Sequence, residues 1–285
     1  MPDYDQQLEL LVQAAILEDV GNGDHSTIST ISPDADGKAR LKIKEDGILA
    51  GVAVAGKIFH LLEPAATLDI LKLDGEPMFN GETAFYVQAK VHTILKAERL
   101  VLNTMQRMSG IATLTKTYTR KLEGYHTRIL DTRKTTPNFR LLEKEAVRIG
   151  GGLNHRFGLY DMIMLKDNHV DFCGGIEQAI EKAYVYTQRV DPSLKIEVET
   201  RSIEDVQKVI RAGKGKVFRI LLDNFAPGDI RQALQLIDHG FETEASGGIN
   251  LDNILDYAET GVDYVSVGAL IHQARSLDLS LKAMS

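Results

Sequence analysis

The 285-residue chain has a single cysteine, Cys173, and no tryptophan. One thiol excludes an intramolecular disulfide and any metal centre built on several thiolates, so Cys173 reads as a structural thiol. Long apolar runs are missing as well: nothing approaches the roughly 20 residues that span a bilayer. The opening MPDYDQQLEL lacks the basic-then-apolar layout of a secretion signal, so the expected location is the cytoplasm. Positive charge is in deficit, with 33 Lys and Arg against 40 Asp and Glu and a formal net charge of -7. Such a chain repels nucleic acid and anionic membrane; neither is expected as a partner, and any bound anion needs a local cationic cluster. Also missing are GxGxxG, the P-loop, GxSxG and HExxH, which removes the usual support for dinucleotide, P-loop, hydrolase-elbow and zincin chemistry.

What is present fits a globular protein of one large domain or two, since 44% apolar residues are enough for a core. From about Thr127, short β-branched runs alternate with amphipathic segments, the pattern of repeated βα units around a parallel sheet. The runs are Arg128 to Leu130, Met162 to Leu165, Lys195 to Val198, Arg219 to Leu222, Glu242 to Ala245 and Tyr264 to Val267. Helical patterns between them include Ile176 to Thr187, Ile203 to Ala212, Asp229 to His239 and Leu251 to Glu259. This predicts an α/β fold with an open (β/α) barrel of six to seven parallel strands. The first hundred residues lack that regularity: a helical pattern around Leu8, Leu11, Val12, Ala15 and Ile16 precedes strand-like KARLKIKEDGIL and AFYVQAKV, with helical AVAGKIFHLL between. They predict a separate N-terminal α+β domain, joined to the barrel by a long helix from Ile94 to about Leu122. Residues 1–110 are assigned to the first domain and 111–271 to the barrel.

The chemistry is expected where the strands end, because barrels build their sites at the carboxyl ends of the strands. Asp131, Arg133 and Lys134 follow the first run, Lys166 the second, Glu199 the third, Asp223 with Asn224 the fourth, Ser246, Gly247 and Gly248 the fifth, and Gly268 the sixth. Arg133, Lys134, His155, Arg156 and Lys166 offer more cations than one carboxylate needs, and guanidinium forks suit a planar dicarboxylate. Lys144 and Arg148, set among Glu143 and Glu145, read as solvated helix residues. Glu199 and Asp223 carry the hard oxygens that suit Mg²⁺ on a pyrophosphate. SGGIN (Ser246 to Asn250) and VGALIHQ (Val267 to Gln273) resemble phosphate-binding turns in which glycine lets the backbone approach an anion. On residue types alone a phosphosugar isomerase or synthase, or a non-catalytic anion-binding module, remains open.

Longer strings are more specific. EDVGNGDHST (Glu18 to Thr27), ERLVLN (Glu98 to Asn103), DTRKTTPNFRLLEKEAVRIGGGLNHRFGLYDMIMLKDNH (Asp131 to His169), KIEVET (Lys195 to Thr200), LLDNF (Leu221 to Phe225), EASGGI (Glu244 to Ile249) and DYVSVGAL (Asp263 to Leu270) resemble the quinolinate phosphoribosyltransferases. That resemblance implies an enzyme converting quinolinate and phosphoribosyl pyrophosphate to nicotinate mononucleotide, pyrophosphate and carbon dioxide, in NAD biosynthesis. A paralogue using another base would share the same strings. The resemblance further implies an N-terminal sandwich on which a short C-terminal helix, residues 272–285, packs, and a barrel of about seven strands. It implies Mg²⁺ as cofactor and a homodimer with shared active sites, alone or in larger assemblies of dimers. Carried over by position, Arg133, His155, Arg156 and Lys166 would hold quinolinate, with Arg99 supplied by the neighbouring subunit and Lys134 lying between the two substrates. Glu199 and Asp223 would face the ribose and the metal, directly or through pyrophosphate and water; Ser246, Gly247, Gly248, Gly268 and His272 would line the phosphate end. Lys134, Lys166, Glu199 and Asp223 are the expected catalytic groups.

Overall fold

A computed structural model describes residues 3–284 and divides the chain into two compact units. One runs up to Thr117 and adds Thr135–Gly151 and the chain from Leu270; the other is Tyr118–Lys134 with Gly152–Ala269. In chain order come helices α1 (Tyr4–Val20) and α2 (His25–Thr30), strands β1 (Asp36–Ile43) and β2 (Gly47–Ile48), and helix α3 (Val52–Leu62). Strands β3 (Thr67–Ile70), β4 (Pro77–Met78) and β5 (Thr83–Lys90) precede the long helix α4 (Val91–Lys121). The remainder is β6 (Arg128–Leu130), α5 (Arg140–Ile149), β7 (Ile163–Leu165), α6 (Asp167–Cys173), α7 (Ile176–Val190), β8 (Ile196–Thr200) and α8 (Ile203–Gly213). It ends with β9 (Arg219–Asp223), α9 (Pro227–Ile237), β10 (Glu242–Ser246), α10 (Ile254–Ala258), β11 (Tyr264–Ser266), α11 (Ala269–His272) and β12 (Leu279–Met284).

The first unit is built on an antiparallel sheet of order β12-β1-β5-β3. Strict alternation sets its buried face: Ala39, Leu41 and Ile43 are covered while Lys38, Arg40 and Lys42 point away, as period-two geometry requires. Helix α3 supplies Ile58 and Phe59, and Phe59 meets Phe85 of β5 edge-on with ring centroids 6.5 Å apart. The expected C-terminal helix over 272–285 is not formed. Helix α11 ends at His272, and residues 279–284 form a strand antiparallel to β1, with Leu281 opposite Leu41 and Leu279 opposite Ile43. The reason lies in LSLKAM itself: Leu279 and Leu281 recur at every second position, so a strand buries both on one face whereas a helix would part them by 200°.

The first compact unit reaches past residue 110, since α4 runs on to Lys121 and α5 is gathered into that unit. Arg107 of α4 explains the latter. Its Nε and Nη2 donate to Glu143 Oε1 at 3.0 and 2.9 Å, and its remaining donors reach the carbonyls of Ile271 and Ala274. Glu143, fully buried, also accepts from the backbone N–H and hydroxyl of Thr136 at 2.7 and 2.9 Å. One ion pair therefore joins α4, α5, the loop before α5 and the segment after α11. Three residues further on, a side chain at Gly110 would stand 1.8 Å from the Arg275 carbonyl, so only glycine lets this chain lie against α4. Lys144, expected to be solvated, is buried at 2% exposure, whereas Arg148 is exposed and pairs with Glu145.

The second unit carries an all-parallel sheet of order β6-β11-β10-β9-β8-β7. Consecutive strands neighbour one another from β7 to β11, and β11 then pairs with β6, the first of the series. That is the cyclic order of a barrel left open between β6 and β7. The six expected strands are all present, and the seventh is reduced to one residue: Leu153 bridges Leu130 beside β6. Helices α7, α8 and α9 present Ile180, Val206, Val209, Ile230 and Ala233 as buried residues, spaced to line one helical face.

Removing Arg107 would leave Glu143 buried without its cation. Arg107→Ala should therefore cost about 3–5 kcal/mol in urea unfolding, whereas Arg148→Ala, which breaks only an exposed pair, should change stability by less than about 1 kcal/mol. Equal losses would refute the role given to the Arg107–Glu143 pair.

Candidate active site

Strand register arranges the polar residues of the barrel in rows. Arg219 lies opposite both Glu197 and Glu242, Leu221 opposite Glu199 and Glu244, and Asp223 opposite Ser246. Because successive strand residues alternate faces, Glu197 and Glu199 share one face of β8, Arg219 and Asp223 one of β9, and Glu244 and Ser246 one of β10. The lower rows hold Glu197, Arg219 and Glu244, all under a tenth exposed. The upper row, nearer the carboxyl ends, holds Asp223 and Ser246.

Into the lower rows comes His155. Its Nε2 lies 3.1 Å from Glu197 Oε2 and 3.3 Å from Glu244 Oε2, while Arg219 Nη1 donates to Glu244 Oε2 at 2.8 Å. Asp131, just past β6 and fully buried, holds the segment that delivers the ring: it accepts the His155 backbone N–H at 2.9 Å and Asn154 Nδ2 at 2.7 Å. Burial pushes the imidazole pKa down, and the two carboxylates push it up against that. Burial, then Glu244, pushes Glu197 up; Glu244 is held down despite its burial by His155 and Arg219. Since Arg156 N–H donates to His155 Nδ1 at 2.6 Å, the ring proton sits on Nε2, facing the carboxylates.

Arg156 follows and is itself buried, at 9% exposure, with Nη1 donating to the Met162 carbonyl at 3.3 Å. Burial lowers its pKa, and the charge of Arg133 lowers it further, so the two guanidiniums lie within each other's field. Lys134 and Lys166 are more open, and Lys166 Nζ lies 3.3 Å from Glu199 Oε2. Next along, His169 Nδ1 accepts the Lys166 backbone N–H at 3.0 Å, so that ring closes the first turn of α6. Asp223 accepts from the Ser246 hydroxyl at 2.6 Å and from Asn224 Nδ2 at 2.7 Å.

The glycine turn after β10 is real but is not a helix start: α10 begins only at Ile254. Gly247 has φ 94°, and a side chain there would lie 2.1 Å from Asn224 Oδ1, so this residue has to be glycine twice over. The turn is held by Asn253 and Asn250, whose side-chain amides donate to the Gly248 carbonyl at 3.1 and 3.3 Å. Gly268 stands between β11 and α11.

The second unit therefore contains Arg133, Lys134, His155, Arg156, Lys166, Glu199, Asp223, Ser246, Gly247, Gly248 and Gly268. Arg99, exposed on α4, and His272, exposed at the end of α11, belong to the first. Sequence reasoning passed over Glu197, Arg219 and Glu244. The signal was available: Glu197 and Glu244 each stand two residues before an expected site residue, hence on the same strand face.

Cations and carboxylates at the carboxyl ends of an open parallel barrel, above a buried ionic layer, define an α/β-barrel protein equipped to hold polyanions. Comparison with known proteins is specific about which. Residues 24–109 match the quinolinate phosphoribosyl transferase N-terminal domain and residues 111–282 the C-terminal domain of that family. The chain is 43% identical to quinolinate phosphoribosyltransferase (decarboxylating) 1b of Nicotiana tabacum, covering 99% of this chain and 83% of that one. It is 42% identical to a probable nicotinate-nucleotide pyrophosphorylase (carboxylating) of Bacillus subtilis, covering 96% and 93%. Among solved structures, NadC of Streptococcus pyogenes superposes with a TM-score of 0.89 at 38% identity, covering 98% of each chain. The nicotinate-nucleotide pyrophosphorylase of Francisella tularensis gives 0.88 at 35%, covering 100% and 98%. The chain belongs to the quinolinate phosphoribosyltransferase family, whose named members are pentosyltransferases.

Asp131→Ala would remove the carboxylate that accepts both the buried His155 backbone N–H and the Asn154 amide. A loss of about 3 kcal/mol is expected, measured by chemical denaturation, with Asp131→Asn retaining part of it; a change below about 0.5 kcal/mol would show that the NHR segment is held elsewhere.

Proposed function

We propose that this chain is a quinolinate phosphoribosyltransferase that joins quinolinate to phosphoribosyl pyrophosphate and releases pyrophosphate and carbon dioxide, giving nicotinate mononucleotide. The carrying observation is the pair Arg133 and Arg156, a buried guanidinium in the field of a second one, in a chain of net charge -7. Like charges within each other's field repel, and burial thins the solvent that would screen them. A dianion relieves that repulsion, and two planar forks match two carboxylates. A phosphosugar isomerase would have no need of both.

In this reading Arg133, Arg156 and Lys166 hold the base, with His155 among them, and the pyridine nitrogen attacks the anomeric carbon of the ribose as the bond to pyrophosphate breaks. Positive charge builds on the sugar, and Glu199 and Asp223 stabilise it. Ser246, Gly247, Gly248, Gly268 and His272 take the phosphate end. Once ribosylated, the cationic ring accepts the electron pair left when the 2-carboxylate departs as carbon dioxide, and Lys134 or Lys166 returns a proton to C2.

Mg²⁺ is the cofactor in this proposal. Its fit is judged from the donors: Asp223 and Glu199 offer hard carboxylate oxygens, but each already accepts hydrogen bonds or faces a cation. Among the described residues neither belongs to a cluster of three ligand-type side chains. That suits an ion that keeps several waters and binds mainly to pyrophosphate, where it would neutralise the leaving group.

We also infer a homodimer in which Arg99 acts on the neighbouring subunit's site, since Arg99 sits exposed on α4 and not after any barrel strand. Larger assemblies of such dimers are compatible with it.

Incubation with quinolinate and phosphoribosyl pyrophosphate should release pyrophosphate and carbon dioxide in equal amounts. Nicotinate should be a poor substitute, and excess chelator should abolish turnover; equal use of nicotinate would sink the dicarboxylate reading. Arg133→Lys keeps the charge but loses the fork, so calorimetry should show weaker quinolinate binding with phosphoribosyl pyrophosphate binding largely retained. For Arg99, inactive Arg99→Ala and Lys134→Ala subunits unfolded and refolded together should regain roughly a quarter of the sites, because a mixed dimer has one doubly damaged and one intact site. No recovery in dimers proved to be mixed by mass spectrometry would place Arg99 outside the partner's site.

A further inference from the structure

The lower rows of the barrel carry charge that the reaction above does not use. Glu197 and Glu244 are fully buried, Arg219 nearly so, and none stands at a strand's carboxyl end. Isolated carboxylates at such depth cost several kcal/mol each, and apolar side chains of similar volume would fill the space without that penalty. Something must offset the cost, and the contacts on the two carboxylates show what.

Two occupants of the space between them are chemically reasonable. One is a divalent cation, because His155 and both glutamates each offer a ligand atom within 4.8 Å of the others. A metal, however, needs the lone pair on His155 Nε2 and therefore the proton on Nδ1. Here Nδ1 is the acceptor, taking the Arg156 backbone N–H at 2.6 Å, which leaves the proton on Nε2. Glu244 is moreover already paired with Arg219 at 2.8 Å, a cation fixed in place by a second bond to Glu242 at 2.8 Å and stacked 4.4 Å over the Tyr264 ring. The other occupant is the imidazole itself, whose Nε2 stands 3.1 and 3.3 Å from the two carboxylates, and the contacts of Nδ1 and of Glu244 favour it.

We propose that Glu197 and Glu244 are positioning residues, which grip the His155 ring from below and so set the backbone of Arg156 and the reach of its guanidinium toward the base. The chain of contacts is continuous. Arg219 anchors Glu244; Glu244 and Glu197 flank Nε2; Nδ1 accepts the Arg156 N–H; and Asp131 clamps the same segment from the β6 side. In this arrangement Nδ1 is taken by the Arg156 N–H and Nε2 faces the two carboxylates at 3.1 and 3.3 Å, so His155 acts on the base through Arg156 and the field of the cluster. The proposal rests on the assignment of Arg156 to quinolinate.

A double-mutant cycle tests it. Glu197→Gln, Glu244→Gln and His155→Gln should each raise the KM for quinolinate on the order of tenfold, with the KM for phosphoribosyl pyrophosphate changed less than about twofold. Glu197→Gln combined with His155→Gln should be no worse than His155→Gln alone, because both act through one ring. Glu197→Asp, which keeps the charge, should recover part of the loss, and it carries the cycle if the glutamine variant does not fold. Independently of turnover, ¹H–¹⁵N spectra of the imidazole should show an Nε2-protonated ring in the unaltered protein and a displaced signal in Glu197→Gln and Glu244→Gln. Losses that multiply in the double variant, equal rises in both KM values, or an unmoved His155 signal would overturn the proposal. So would an increase in Tm on adding Mg²⁺, Mn²⁺ or Zn²⁺ that disappears in Glu244→Gln, since the cluster would then be a metal site. If the unaltered protein releases no carbon dioxide from quinolinate, the functional assignment fails, and the imidazole spectra still decide whether the carboxylates hold the ring.

Discussion

Glu197 and Glu244 share an interior that water does not reach, and the barrel can keep them there only by bringing a cation and a polar ring to them. Arg219 arrives along the next strand, already in register. His155 arrives from a different part of the chain, and its arrival dictates much else. The segment Asn154 to Arg156 must pass over the carboxyl end of β6, Asp131 must be buried to receive it, and Leu153 must lie against Leu130, where it stands in for a seventh strand. The opening between β6 and β7 is thereby partly occupied by the very segment that carries Arg156. Removing a partner from a buried ionic set costs far more than the set contributes as a whole, so geometry, more than stability, is what such a cluster secures.

Much of this architecture could be read in the residues because the strands obey simple rules. Lys195 to Val198 and Arg219 to Leu222 are β-branched, short and followed by helical periodicity, and both became strands in register. The C-terminal strand was missed for a related reason: LSLKAM has the same alternation, but as six residues at the chain's end it has no βα neighbour to set its context, and its partner β1 lies more than two hundred residues away. Lys144 shows a different limit. A lysine among glutamates on an amphipathic helix looks solvated by any local criterion, and only tertiary packing, which the local sequence does not show, buries it.

The site was legible in part. Strand-end positions located Lys166, Glu199, Asp223 and Ser246 because the βα period locates strand ends. Arg133 and Lys134 followed from the same logic. The ionic layer below was overlooked because a glutamate inside a strand looks, without its partners, like a residue on a solvated face. The contacts of His155 were illegible for a deeper reason. Whether a histidine faces a ligand or a buried carboxylate depends on which way its loop enters the barrel, and that is decided by Asp131, twenty-four residues earlier in the chain.

An anion site has to survive its own emptiness. In the proposed role Arg133 and Arg156 repel each other whenever the dicarboxylate is gone, and a loop free to move would splay them apart. Glu197 counters this from below: together with Asp161 it raises the Arg156 pKa that burial and Arg133 lower. The same carboxylate that steadies the His155 ring therefore lessens the electrostatic cost of keeping Arg156 beside Arg133. Compensation of this kind has to be incomplete, because a fully neutralised pair would have no attraction left for a dianion. Glu197 meets that condition by facing the imidazole first, leaving only its longer-range field for Arg156. In that role the buried layer would set how much positive charge surrounds Arg156, and with it how strongly an incoming carboxylate is drawn to the guanidiniums.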